Sequence, residues 1–286
     1  VRIKDVSYWL FLTPVLFALI TVVILPLGVG TYYSFTEWNG IETGDFVGFE
    51  NYIKALQDER FIDSLWFTIK FSVASVILIN VIGLSLALIV TSKIKTNNLL
   101  RTVFFMPNLI GGLILGFIWQ FIFIRVFANI GQAFGIEAMQ GWLSTTTTGF
   151  WGLVILMSWQ MSGYIMVIYI AYLQGVSKEL IEAAHIDGAT AWQRFRHIIF
   201  PLVAPAFTVS MFLTLSNTFK LYDQNLALTD GGPYNSTEML AMEIYNTAFV
   251  QNSFAYAQSK AVIFFIVVAT ITLVQVYFNK KREVQM

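Results

Sequence analysis

Six apolar runs of membrane length alternate with polar segments of very uneven size along this chain. They cover Trp9–Tyr33, Leu65–Val90, Thr102–Phe123, Phe150–Leu173, Leu202–Leu221 and Ala261–Phe278. A helix needs about 20 mostly apolar residues to cross the hydrocarbon core. The runs are continuously apolar and lack the two-residue alternation of a membrane β-barrel, so helix is the spanning element. The pattern predicts an all-α integral membrane protein with six transmembrane helices. Pro14, Pro26 and Pro107 fall inside or near span ends, where neighbouring helices can satisfy the carbonyls that a proline frees.

Between the fourth and fifth runs lies a polar, helical-looking stretch, "ELIEAAHIDGATAWQRFRHIIFP" (Glu179–Pro201), which holds both histidines, His185 and His197. Local signals divide it into two short helices. Ser177 is a good N-cap, and Glu179 and Glu182 suit the positive end of the helix that follows. Gly188 can take a left-handed conformation and end that helix. Thr190 with Gln193 makes a capping box for the second, on which Trp192, Phe195 and Ile199 fall at helical spacing. Pro201 marks the entry into the fifth run. An amphipathic hairpin resting on headgroups is one reading of this shape. A docking element is the other, and Ala183, Ala184 and Gly188 favour it, because small residues let another backbone approach.

Composition supports the membrane class. The chain is 57% hydrophobic and 12% charged, where soluble domains carry roughly a quarter charged residues, and its mean hydropathy is +0.68. Net charge is zero, which suggests no nucleic-acid partner. Cysteine is absent, which excludes disulfides and thiolate metal sites. The sequence opens at Val1 rather than Met, so residues before it are expected to be missing. The first run is longer than the roughly 7–15 residues of a signal-peptide core and has no small-residue cleavage site after it, so it reads as a retained anchor.

Lysine and arginine set the orientation. Arg2, Lys4, Lys93, Lys95, Arg101, Lys178, Arg194, Arg196, Lys280, Lys281 and Arg282 fall on one side, eleven in all, against six on the other: Lys54, Arg60, Lys70, Arg125, Lys220 and Lys260. The richer side is expected to be cytoplasmic, with both termini and the 177–201 hairpin. The tract "STTTTG" (Ser144–Gly149) then reads as an external loop, and residues 222–258 as a longer one. With no internal repeat, 1–286 reads as a single transmembrane domain.

The hairpin carries a family resemblance. Glu182-Ala183-Ala184, then Gly188, Ile198 and Phe200-Pro201 resemble the EAA loop of ABC importer permeases, with Phe200 where the family usually has leucine. That resemblance implies a coupling helix seated in a cleft of an ATPase subunit, carried here by Glu182, Ala183, Ala184, Asp187, Gly188, Ala189 and Pro201. "LTDGGPYNSTEMLAMEIYNTAF" (Leu228–Phe249), "SFTEWNG" (Ser34–Gly40) and "FVGFENY" (Phe46–Tyr52) look like sugar permeases of the maltose-transporter MalF type, without that protein's long external insertion. The family implies a prokaryotic inner-membrane location and four kinds of partner: a homologous second permease, two ATPase subunits, an extracytoplasmic solute-binding protein and a sugar. The chain has no G-x-x-x-x-G-K-[ST] phosphate loop, so no cofactor is expected on it, and ATP and Mg would be bound by the partner ATPase.

"TDGGP" (Thr229–Pro233) is a glycine–proline turn, and the resemblance makes Gly231, Gly232 and Pro233 candidates for docking the binding protein. A sugar path needs aromatic faces and neutral polar groups. Candidates at membrane depth are Asn80, Asn108, Trp119, Gln120, Trp159, Gln160, Tyr164 and Asn217. Aromatics also populate interfacial belts, whereas a buried amide must face a partner or water. An ion-coupled transporter would want ionisable groups mid-span, yet Lys70, Lys220, Asp223 and Lys260 sit near span ends. An anionic cargo such as glycerol phosphate would want cations on the path, which the inner spans almost lack. A membrane enzyme is disfavoured by the absence of thiols and of an H-E-x-x-H pattern. Neutral mono- or oligosaccharide is the favoured cargo.

Overall fold

The computed structural model describes residues 3–92 and 96–281. Arg2, Lys93, Lys95 and Arg282, which enter the orientation count, lie outside them. Among the described residues five helices are long and apolar enough to cross a membrane: Tyr8–Tyr33, Glu59–Thr91, Gly112–Phe134, Thr146–Gln174 and Phe254–Lys280. Ala191–Leu202 and Ala204–Phe219 pass the same test only together, as a pair bent by 67°, and make the sixth when counted as one span.

Prolines shape three of these spans. Pro26 lacks a backbone donor and its ring crowds the preceding turn. The first span absorbs this in a π-turn, Ile20–Ile24, just before it. Pro107 has a larger effect and corrects the expected third span. Thr102–Phe105 belongs to a separate helix, Asn97–Phe105, followed by a 3-10 turn at Met106–Leu109. The chain is extended at Ile110, and the spanning helix starts at Gly112 and runs through a π-turn, Ile122–Val126, to Phe134. In the fifth span the break falls at Val203, between Pro201 and Pro205, so the hairpin's second helix bends into the membrane instead of ending before it.

Three further expectations change. Ser144–Gly149 is not a free loop: Thr145 caps the fourth span in a capping box with Thr148, and the helix is under way at Thr146. Segment 222–258 contains the helices Asp223–Leu228 and Leu240–Tyr245 and the first turn of the last span. That last span starts at Phe254 rather than Ala261 because Lys260, where the apolar run stops, is buried and neutralised by carboxylates.

The backbone divides into two compact units. One comprises the described residues up to Ile62 together with Glu243–Ile266; the other comprises Asp63–Met242 with the described residues from Val267 on. In the first, Gly30 lets the first span lie against Gln258, since a Cβ there would come within 2.4 Å of its amide nitrogen. Trp38 stacks on Tyr33 and contacts Phe254. Lys260 is held by Asp58 and Glu243, with the Glu243–Thr247 and Asp58–Tyr256 hydrogen bonds around it.

The second unit holds the main core, built around the fourth span, whose Leu153, Leu156, Ile165 and Met166 are fully buried. Small residues permit its close crossings. A Cβ on Gly83 would sit 2.9 Å from Ile165, and one on Gly163 would sit 1.8 Å from the carbonyl oxygen of Phe104. Without a hydrophobic force between lipid-solvated helices, such close packing is a main source of association in a bilayer.

Candidate functional site

The hairpin forms as its sequence signals require. The Ser177 hydroxyl accepts from the Leu180 N–H and caps Lys178–Ile186. The Ser177 hydroxyl also donates to Glu179, which holds that carboxyl below its ordinary range. Gly188 takes φ +80°, a conformation costing a residue with a Cβ about 1–2 kcal/mol. Thr190 and Gln193 exchange both bonds of a capping box. Arg194 joins the two helices, reaching the His185 ring and donating to the Ala189 carbonyl. Glu182, Ala183, Asp187 and Gly188 are exposed, Ala184, Ala189 and Pro201 half-buried. Ile186 is 85% and Trp192 64% exposed. The hairpin thus presents an acidic, small-residue helix with exposed apolar side chains beside it.

The path candidates separate into three groups. Asn108, Gln160, Tyr164 and Asn217 come together on a polar cavity of about 360 Å³. Lys220 and Gln224 complete its polar wall, with Met157, Met161 and Leu221 as the apolar part. Trp119 and Trp159 meet edge to face at 5.7 Å and line a separate apolar cleft of about 670 Å³ with Pro107 and Leu78. Asn80 and Gln120 face neither. The Asn80 carbonyl accepts from the hydroxyls of Tyr169 at 2.9 Å and Ser210 at 2.6 Å, and its amide donates to the Val76 carbonyl. Its bonding capacity is used in joining the second, fourth and fifth spans. Gln120 donates to the Leu228 carbonyl.

The polarity of the cavity wall is built by backbone as well as side chains. Because the third span breaks before Gly112, the Ile110 carbonyl lies outside any helix and accepts from Gln160 at 3.2 Å. The Gln160 carbonyl in turn accepts from Gln224 at 2.9 Å. Non-helical backbone at membrane depth is tolerated where it lines a cavity or is buried in protein. Sequence reading misses Lys220 and Gln224. Lys220 reads as a span-edge charge, and Gln224 falls in the supposed loop. The signal that reaches Gln224 is the "GLILG" spacing, Gly112 and Gly116, whose open face receives the Asp223–Leu228 helix: a Cβ on Gly116 would lie 2.5 Å from that of Ala227.

In the 222–242 segment Asn225 is wholly buried, and its side chain donates to Thr229 and the Thr237 carbonyl while accepting from the Met239 N–H. This knot pulls the glycine turn inward. Gly231 is buried, Gly232 and Pro233 are half-buried, and the exposed tip is Tyr234–Asn235. Among the described residues no three His, Cys, Asp or Glu side chains cluster as a metal site would require.

A chain of apolar spans, one of them broken beside a polar cavity, with a capped hairpin before the fifth span, is a helical membrane transport component. It belongs to the family described as "Binding-protein-dependent transport system inner membrane component", matched over residues 79–284. Its business is transport with a binding protein at the inner membrane, not catalysis. The chain is 57% identical over 283 residues to a "Probable starch degradation products transport system permease protein AmyD" of Thermoanaerobacterium thermosulfurigenes, covering 99% of this chain and 97% of the relative. It is 28% identical to the "Trehalose/maltose transport system permease protein MalF" of Thermococcus litoralis, covering 96% and 94%. In fold it is similar to a chain of a bacterial ABC transporter "involved in the import of the acidic polysaccharide alginate", with TM-score 0.84, 19% identity and coverage of 97% and 96%.

Proposed function

We propose that this chain is the permease subunit of an ATP-driven importer that passes a neutral gluco-oligosaccharide from an extracytoplasmic binding protein to the cytoplasm. The observation that carries the reading is the gathering of Asn108, Gln160, Tyr164 and Asn217 on one cavity. Amides and a phenol hydroxyl supply both donors and acceptors, which a polyhydroxyl cargo needs. Lys220 adds a cation, but an ammonium is three donors and serves vicinal hydroxyls as readily as a carboxylate. The relative named for starch degradation products favours the neutral cargo.

The hairpin would couple the cavity to ATP. Its Glu182–Ala189 stretch, the end of the first helix and the turn after it, is the part offered to one of two ATPase subunits, which would hold ATP and Mg, while a homologous second permease would complete the pathway. Tyr234 and Asn235, more than Gly231–Pro233, would meet the binding protein. This reading puts the hairpin and both termini in the cytoplasm. Uptake of labelled malto-oligosaccharides, uronic oligosaccharides and sugar phosphates by the intact complex tests the cargo. The neutral sugars should be taken up and the anionic ones should not; preference for an anionic cargo would reverse the reading and assign Lys220 as its counter-ion.

A further inference from the structure

Gln224 sits where an ordinary side chain opposite would not allow it. A Cβ on Gly112 would lie 2.9 Å from both the amide carbon and the amide nitrogen of Gln224, and 3.0 Å from its oxygen. Only glycine leaves room for the amide to lie flat against the start of the third span. The direction of that amide is also determined. A backbone carbonyl can only accept, so Gln160 must turn its nitrogen to Ile110 and its oxygen to Gln224. Gln224 must then turn its nitrogen to Gln160. The Gln224 oxygen is left without a partner among the described residues, on a side chain that lines the polar cavity.

We infer that Gln224 is a cargo-contacting residue whose free acceptor takes a hydrogen bond from a sugar hydroxyl, and that Gly112 is the positioning residue that seats it. The inference rests on the cavity being the sugar path. It adds a directional requirement: Lys220 beside it can only donate, so Gln224 supplies the acceptor on this part of the wall. Substitution at Gly112 should act through Gln224 alone, because the atoms a new methyl would meet are the far end of one flexible side chain. Gly116 and Gly163 differ, since there the obstacles are the Cβ of Ala227 and the Phe104 backbone.

The test is uptake kinetics in vesicles holding the complete transporter with loaded binding protein, for Gly112→Ala, Gln224→Ala, the double variant and Asn217→Leu. Gly112→Ala and Gln224→Ala should each raise KM about five-fold, the fold-change of one ordinary hydrogen bond, with maximal rate and complex yield retained. The double variant should match either single one. If Asn217→Leu raises KM while Gly112→Ala and Gln224→Ala do not, the inference is overturned and the cavity reading stands. Additive losses in the double variant would overturn Gly112's role as well. If Asn217→Leu, Gln224→Ala and Gly112→Ala all leave KM unchanged, the cavity is not the path and both fall.

Discussion

The Lys260 ammonium lies 2.8 Å from a carboxylate oxygen of Asp58, and its other acid partner is Glu243. Lys260 and Glu243 are each 1% exposed. The three residues come from the turn before the second span, the Leu240–Tyr245 helix and the start of the last span, so one ammonium ties three separate stretches of a single unit. Removing one partner of a buried pair leaves the other charge stranded, at a cost of about 3–5 kcal/mol. Lys260→Met should therefore lower the thermal unfolding midpoint of the detergent-solubilised complex markedly, whereas Lys54→Met should not. Equal midpoints for the two variants would deny the cluster its structural role.

The same cluster predicts opposite pH responses. Burial alone would raise the Asp58 carboxyl, but hydrogen bonds from Lys260 and Tyr256 outweigh it and hold the group below its ordinary range. A depressed carboxyl contributes stability above its unfolded pKa, about 3.9, that is lost as pH falls through the folded value. Glu243 is pushed up, chiefly by burial. Its contribution is full below an unfolded pKa of about 4.3 and is lost as pH rises through the folded value. Asp58→Asn should flatten the acid limb of a stability–pH curve, and Glu243→Gln the limb above it. Unaltered slopes in both variants would contradict these assignments.

Two glycines should fail in different ways. Gly163→Ala drives a methyl to within 1.8 Å of the Phe104 carbonyl, so yield of folded, monodisperse protein should collapse. A Cβ on Gly188 would meet nothing within 4 Å, but the residue takes φ +80°. Gly188→Val should insert and purify normally while losing substrate-stimulated ATP hydrolysis, as should Glu182→Ala. Full transport by Gly188→Val would remove the hairpin from the coupling step.

Local signals make the hairpin legible residue by residue, because caps and a left-handed glycine depend on near neighbours only. The spans are legible from hydropathy, but their breaks are not. Pro107 removes the donor only for the carbonyl four residues before it, Val103, and could be tolerated inside a helix. That the chain instead breaks further on, at Ile110–Gly111, goes with a tertiary partner, Gln160 of another span, which donates to the Ile110 carbonyl. Lys260 ends an apolar run, yet distant acids let the helix include it. Asn80 reads correctly as a buried amide that needs partners. That the partners are Tyr169 and Ser210 rather than a sugar is a tertiary fact.

Orientation is testable in the cysteine-free background. A cysteine at Glu42 or Asn235, both exposed, should react with an impermeant thiol reagent in intact cells, and one at the exposed His185 should react only after permeabilisation. Labelling at position 185 from outside would invert the topology and detach the hairpin from any cytoplasmic ATPase.

The most direct measurement is uptake of a labelled malto-oligosaccharide into proteoliposomes containing this chain, its partner permease and the ATPase subunits. Uptake should require both binding protein outside and ATP inside, and an uncoupler should leave it unchanged. Uptake that proceeds without ATP and collapses when an imposed ion gradient is dissipated would contradict the account.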